Sequence, residues 1–236
     1  MPAKKIALVT GANKGLGLEI ARQLGQLGFI VVLGARDEAK AEAAAESLRV
    51  EGTNANAVKL DVTNSDDIAA LPSFIEQKFG GLDVLINNAG IGEPSEGSRL
   101  EKLRKVYETN VFGAFAVMEA LIPLLKASPA GRVVNHSSIL GSLTLISAGQ
   151  GGEWTKPAYT SSKTALNMLT VVAAYELRDT KVKVNAAHPG WVKTDMGGDA
   201  APLDVRDGAK TAVELATLGE DGPSGAYMHL GKVLPW

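Results

Sequence analysis

Tyr159 and Lys163 stand four residues apart within Pro157-Ala-Tyr-Thr-Ser-Ser-Lys. On a helix, positions i and i+4 share a face, so the phenol and the ammonium can meet in one pocket. A free phenol titrates near pH ~10. A cation ~4.5 Å away at an effective dielectric of ~20 contributes roughly 3.7 kcal/mol, or about 2 to 3 pKa units. The expectation is a phenol acidic enough to exchange a proton with a substrate near neutral pH. Tyr and Lys at this spacing also occur on solvated helix faces, so the pair takes its meaning from what lies beside it.

A second group of residues is suited to holding phosphate. Thr10-Gly-Ala-Asn-Lys-Gly-Leu-Gly17 follows a strand-like run and opens a helix-like one. Gly11, Gly15 and Gly17 permit a tight turn, and the helix start then offers free N–H groups to a pyrophosphate. The second strand ends Gly34-Ala35-Arg36-Asp37, where an acid would bind the 2′-hydroxyl of NAD. Arg36 stands there instead, and Lys14 adds a cation from the Gly-rich turn, a pairing that suits a 2′-phosphate and so NADP(H). The plainer alternative makes both cations solvated surface groups and Asp37 a helix cap. Asp61, before Val62, either accepts from the adenine amino group or caps a helix. Asn87-Asn88-Ala89-Gly90 ends a fourth strand with two short amides beside the same cleft.

The elements that must carry these groups alternate. Strands are expected at 6–10, 29–33, 57–60, 82–86, 132–136, 181–187 and near 225–230. Helices are expected at 15–27, 38–50, about 65–79, about 101–126, from Pro157, and near 205–218. In the first helix, Leu16, Ile20, Leu24 and Leu27 form one stripe. Residues 141–153, rich in Gly and Ser, read as an active-site loop. Alternation of this kind predicts one α/β domain spanning 1–236: a doubly wound, Rossmann-like parallel sheet of about seven strands with helices on both faces.

Composition sets the bounds. The 236 residues are 45% hydrophobic with a formal net charge of −2 and no long run of either sign. Neither a nucleic-acid nor a membrane partner is expected. No cysteine is present, which excludes disulfides and thiolate metal sites. His136, His188 and His229 lack metal-ligand spacing, so no metal is expected. The N-terminus has no signal-peptide pattern and no charge-free apolar span is found, so the expected location is cytoplasmic.

Taken in order, Thr10-Gly11-x-x-x-Gly15-x-Gly17, Asp61, Asn87-Asn88-Ala89-Gly90, Asn110, Ser138, Tyr159-x-x-x-Lys163 and Pro189-Gly190 resemble the short-chain dehydrogenase/reductase family over nearly the whole chain. The Gly-rich turn, Pro189-Gly-Trp-Val-Lys-Thr-Asp-Met196 and Trp236 are similar to its NADPH-dependent carbonyl reductase branch. The resemblance implies that Tyr159 is the general acid for carbonyl reduction, that Lys163 lowers its pKa and that Ser138 holds the substrate oxygen. It also implies that Asn110 kinks its helix and supports a proton path to Lys163. NADPH or NADP+ would then be held by Gly11, Asn13, Lys14, Gly15, Leu16, Gly17, Arg36, Asp61, Val62, Asn88, Ala89, Gly90, Tyr159, Lys163, Pro189, Gly190, Val192 and Thr194. The substrate is expected to be a small carbonyl compound.

Ser137 competes with Ser138, since strand alternation puts only one of them on the cleft side. Ile139, Trp154, Trp191 and Met196 could line a substrate pocket or simply pack. The spacing from Ser138 to Tyr159 is longer than is usual in the family, and the added residues are expected to form a lid or wall. Apolar faces on Val106–Leu125 and Ala165–Ala174 suggest a homodimer or homotetramer. The rival readings are a non-enzymatic NADPH sensor with the same fold and a sugar-nucleotide epimerase or dehydratase.

Overall fold

A computed structural model describes residues 4–236. Met1–Ala3, on which part of the N-terminal reading falls, lie outside the described residues. Eight strands form one sheet: β1 (Ile6–Thr10), β2 (Ile30–Ala35), β3 (Ala55–Lys59), β4 (Val84–Asn87), β5 (Arg132–His136), β6 (Lys183–Ala187), β7 (Tyr227–His229) and β8 (Lys232–Val233). Their order is β3-β2-β1-β4-β5-β6-β7-β8. The first seven run parallel and β8 returns antiparallel to β7. The sheet agrees with the expectation of about seven strands, with one short strand added at its edge. That strand is a two-residue hairpin return past Leu230 and Gly231, too short to leave a periodic signal.

Eight helices cover the faces: α1 (Gly15–Gln26), α2 (Glu38–Val50), α3 (Ser65–Phe79), α4 (Arg99–Tyr107), α5 (Ala114–Ala127), α6 (Leu143–Ser147), α7 (Pro157–Glu176) and α8 (Val205–Ala216). Because both faces are covered, the inner strands are continuous apolar runs rather than alternating ones; every residue of β1 is buried. Ala7 and Val9 point into a core built with α1, α2 and α8. Ile6 and Leu8 point into the opposite core, against α3, α5 and α7. Helix starts follow local chemistry: Asp37 accepts from Lys40 N–H to cap α2, and Asn64 accepts from Asp66 and Asp67 to cap α3. Leu27 leaves the expected stripe. It lies past the end of α1, 60% exposed.

The expected continuous helix at 101–126 is broken. Between α4 and α5, Glu108–Gly113 form a π-helical turn. Gly113 sits where a Cβ would come within 2.6 Å of the Val62 carbonyl oxygen, so the turn lies hard against the chain leaving β3. The helical run Arg99–Ala127 is long and apolar enough by composition to cross a bilayer. Its α5 part instead packs Val117, Met118, Leu121 and Leu125 into the core.

The strand order reverses between β1 and β4. In open α/β sheets such a switch point opens a crevice at the carboxyl ends of the strands. Thr10, Ala35, Asn87, His136 and Ala187 all end strands there, and the Gly-rich turn, Arg36, Asn88–Gly90, Ser138 and Pro189–Gly190 come from the chain just beyond.

Candidate active site

The turn after β1 is shaped for an anion. Gly11 and Gly15 adopt φ of +63° and +57°, open to glycine at no steric cost. A Cβ at Gly17 would lie 2.5 Å from both Asn88 Nδ2 and the Gly11 carbonyl oxygen, so only hydrogen fits. Lys14 caps α1 with no side-chain hydrogen bond, which leaves the first N–H groups of a 12-residue helix free. These features fit a dinucleotide pyrophosphate. Asn13 lies within the turn. Leu16 reaches toward Val192, both against the backbone of Gly208.

Thr10 braces the neighbouring loop. Its Oγ1 accepts from the N–H groups of Asn88 at 3.0 Å and Ala89 at 2.9 Å. Asn88 Nδ2 returns to the carbonyls of Thr10 and Gly11. Arg36 is exposed at the end of β2 and makes no ion pair among the described residues. Lys14 pairs with Asp195 of the loop after β6. Asp61 Oδ1 accepts from the N–H and hydroxyl of Thr63, a turn cap, while Val62 is buried.

Four residues expected to do chemistry converge beyond β4 and β5. Tyr159 and Lys163 come from the first turns of α7, whose start is capped by Glu93: Oε2 accepts from Ala158 N–H at 2.9 Å. Ser138 follows β5; its Oγ accepts from Leu140 N–H at 3.3 Å, and its hydroxyl lies beside the Tyr159 phenol. Ser137 is buried and donates to Asn167 Oδ1 at 2.6 Å, on the core side. Asn110 lies within the π-helical turn; its Oδ1 accepts from Ile91 N–H and its Nδ2 donates to the Ile91 carbonyl and to Ser162 Oγ. Ser162 Oγ donates to the Tyr159 carbonyl at 2.7 Å, which ties Asn110 to the helix of the phenol. A Cβ at Gly90 would stand 3.3 Å from Asn110 Oδ1 and 3.6 Å from Lys163 Nζ, so amide and ammonium meet over a bare backbone.

Electrostatics correct the expectation of an acidified phenol. Burial pushes the Tyr159 pKa up, and only the Ser138 hydrogen bond pulls against it. Lys163 Nζ lies 5.7 Å from the phenol ring centroid and donates instead to the His136 carbonyl at 2.7 Å. Burial lowers Lys163 to about 8. The phenol is therefore held as the protonated acid at neutral pH.

The 141–154 segment is partly ordered rather than all loop, holding α6 and a single turn at Gly152–Trp154. The Trp154 and Trp191 rings meet at 5.6 Å, and Trp191 Nε1 donates to the Gly197 carbonyl. Met196 approaches Gly92 across the cleft, and Ile139 donates its N–H to His188 Nδ1. Pro189 precedes Gly190 (φ +86°), and Thr194 Oγ1 accepts from Gly197 N–H, closing the loop that carries Val192. Thr10, Glu93 and Ser162 are supports that spacing did not mark. The sole hint was Ser162, one helical turn from Tyr159.

A short chain dehydrogenase family model matches residues 5–202. The chain belongs to the short-chain dehydrogenase family. Among curated members of that family, mouse carbonyl reductase 1 (NADPH) is 35% identical, with 99% of each chain covered. A short-chain dehydrogenase of Penicillium roqueforti is 37% identical over 92% of this chain and 90% of that one. Among solved short-chain dehydrogenases, NADPH-bound carbonyl reductase from chicken fatty liver matches with a TM-score of 0.86 at 32% identity, covering 99% and 100% of the two chains. Salutaridine reductase from Papaver somniferum matches at 0.84 and 31%, covering 95% and 99%.

Proposed function

We propose that the chain, working as one catalytic domain, reduces small aldehydes or ketones where Ser138 and Tyr159 converge, with Tyr159 delivering the proton. It is an NADP-dependent oxidoreductase of the carbonyl reductase type. The single observation that carries the site assignment is the meeting of Ser138, Tyr159, Lys163 and Asn110 beside a turn with free helix N–H groups.

The chain's own residues divide the work. Gly11, Gly15 and the start of α1 would hold the pyrophosphate, and Arg36 the 2′-phosphate. NADPH, when bound, supplies the hydride. Ser138 and Tyr159 present two hydroxyls to the carbonyl oxygen, where negative charge develops. The protonated phenol then donates to that oxygen. Lys163 and the Asn110–Ser162 bonds keep its helix in place. Turnover of NADPH on a panel of aldehydes, aryl ketones, keto esters, steroids and diketones tests this reading. Tight NADPH binding with no turnover on any of them would favour the sensor, which none of the relatives above supports.

Cofactor choice is the next expected result. The Lys14–Asp195 pair is exposed, and such pairs contribute at most about 1 kcal/mol, so a phosphate can claim Lys14 cheaply. Arg36→Ala should raise the KM for NADPH by about 10-fold, the scale of one charge-assisted hydrogen bond, and leave that for NADH unchanged. Equal use of both cofactors by the parent would overturn the assignment.

The chain is proposed to pair with itself in the cytoplasm. On α7, Met168, Val171, Val172 and Tyr175 form an exposed stripe at helical spacing, and Phe112 of the π-helical turn and Phe115 of α5 are exposed. Contiguous apolar surface of this kind marks an interface. Sedimentation should give a dimer or tetramer that Val171→Glu dissociates. A species of single-chain mass in the parent would refute it.

A further inference from the structure

His136, the last residue of β5, touches two parts of the site, the phosphate turn through its ring and Lys163 through its main chain. Asn88 Nδ2 is committed to the carbonyls of Thr10 at 2.9 Å and Gly11 at 3.2 Å, inside the phosphate turn. Its Oδ1 must therefore face the other way, where it meets His136 Nδ1 at 3.0 Å. An amide oxygen only accepts, so Nδ1 carries the proton and the tautomer is fixed. The main-chain carbonyl of the same residue accepts from Lys163 Nζ. The remaining ring nitrogen, Nε2, is buried and has no partner.

We infer that His136 is a positioning residue, its Nδ1–H anchoring the phosphate turn through Asn88 while its carbonyl holds the ammonium of Lys163. This rests on the assignment of Lys163 to the reaction. One residue, by its ring and its main chain, thus couples the geometry of cofactor binding to that of proton delivery. Neutrality of the ring is part of the device. Burial, Lys163 and His188 push His136 down to about 3, so it adds no second cation beside the ammonium at working pH. The groups facing this pair are Tyr159 from α7, Asn110 from the π-helical turn, and His188 beyond β6, whose ring meets that of His229 of β7 at 4.8 Å with a 42° tilt. Among the described residues, no carboxylate forms a salt bridge with Lys163.

The test measures the NADPH dissociation constant by fluorescence and the pH profile of kcat/KM. His136→Leu removes the Nδ1 donor and frees the end of β5. NADPH binding should weaken about 10-fold, the cost of one lost buried hydrogen bond. With the ring gone, the end of β5 is no longer tied to Asn88 and its main-chain carbonyl is held less closely against Lys163 Nζ; this disfavours the charged ammonium, so the alkaline limb should move about 0.5 to 1 pH unit lower. His136→Asn offers an N–H where Nδ1 stood and should restore most of both. His136→Gln, whose donor falls at the Nε2 position, should resemble the leucine variant and decides the matter if that variant does not fold. Asn and Gln variants behaving alike, or a parental profile in both with only a lower Tm, would overturn the inference. Lys163→Ala in the same buffers separates the two layers: if it keeps parental activity, the assignment beneath the inference falls as well.

Discussion

Tyr159→Phe should lose carbonyl reduction by about 10³-fold in kcat, the scale of a positioned general acid, while binding NADPH as the parent does. The substitution deletes one oxygen and keeps the ring. The contact of Lys163 Nζ with that ring, at 5.7 Å, survives, and so do the Ser162 and Glu93 bonds that fix the start of α7. What disappears is the phenolic proton beside Ser138. Steady-state kinetics with a fluorescence titration of NADPH separate chemistry from binding. Near-parental turnover in this variant would mean that the proton comes from elsewhere and that the phenol merely packs.

Lys163→Ala should cost about 10² to 10³ in kcat/KM, and its pH dependence should explain why. In the parent, Lys163 loses its charge near pH 8, well below the ordinary lysine range, because it is buried. If the ammonium is needed, kcat/KM for reduction falls as pH rises through about 8, and the alanine variant lacks that limb. Stability moves the other way. Between the folded value and the ordinary one, the unfolded chain binds a proton that the folded chain does not, so stability rises with pH across that window. Thermal melts near neutral pH and at about pH 9.5 check this sign, and the alanine variant should show a smaller rise. A parental rate profile flat across pH 8 would remove Lys163 from the reaction.

Most of the fold could be read from the chain because local signals agreed with one another. The bounds of β1, β5, α2 and α3 fall where the apolar runs and caps place them. Agreement failed where tertiary contacts overrule local pattern. The 99–127 run is helix-forming throughout, and no periodicity reveals that Asn110 leaves the regular ladder for Ile91. The site was legible as residue types at fixed spacing, which brings Tyr159 and Lys163 onto one helix. The sign of the phenol shift was not legible. Spacing gives the distance to a cation but not the burial of both groups, and burial dominates here. The roles of His136 and Asn88 were hidden for a similar reason: they depend on which way an amide turns, and only the surrounding carbonyls decide that.

The π-helical turn at Glu108–Gly113 carries one residue more than a regular helix needs. Excising Thr109 would let the run close into an uninterrupted α-helix, and every side chain on one side of the cut would swing about 100° around the axis relative to the other. The amide of Asn110 would leave Ile91, or else the apolar face of α5 would rotate out of the core. A one-residue change of length here would therefore displace either the site or the core, even though the segment lies outside any strand. A smoother helix would misplace the one amide that holds Ile91.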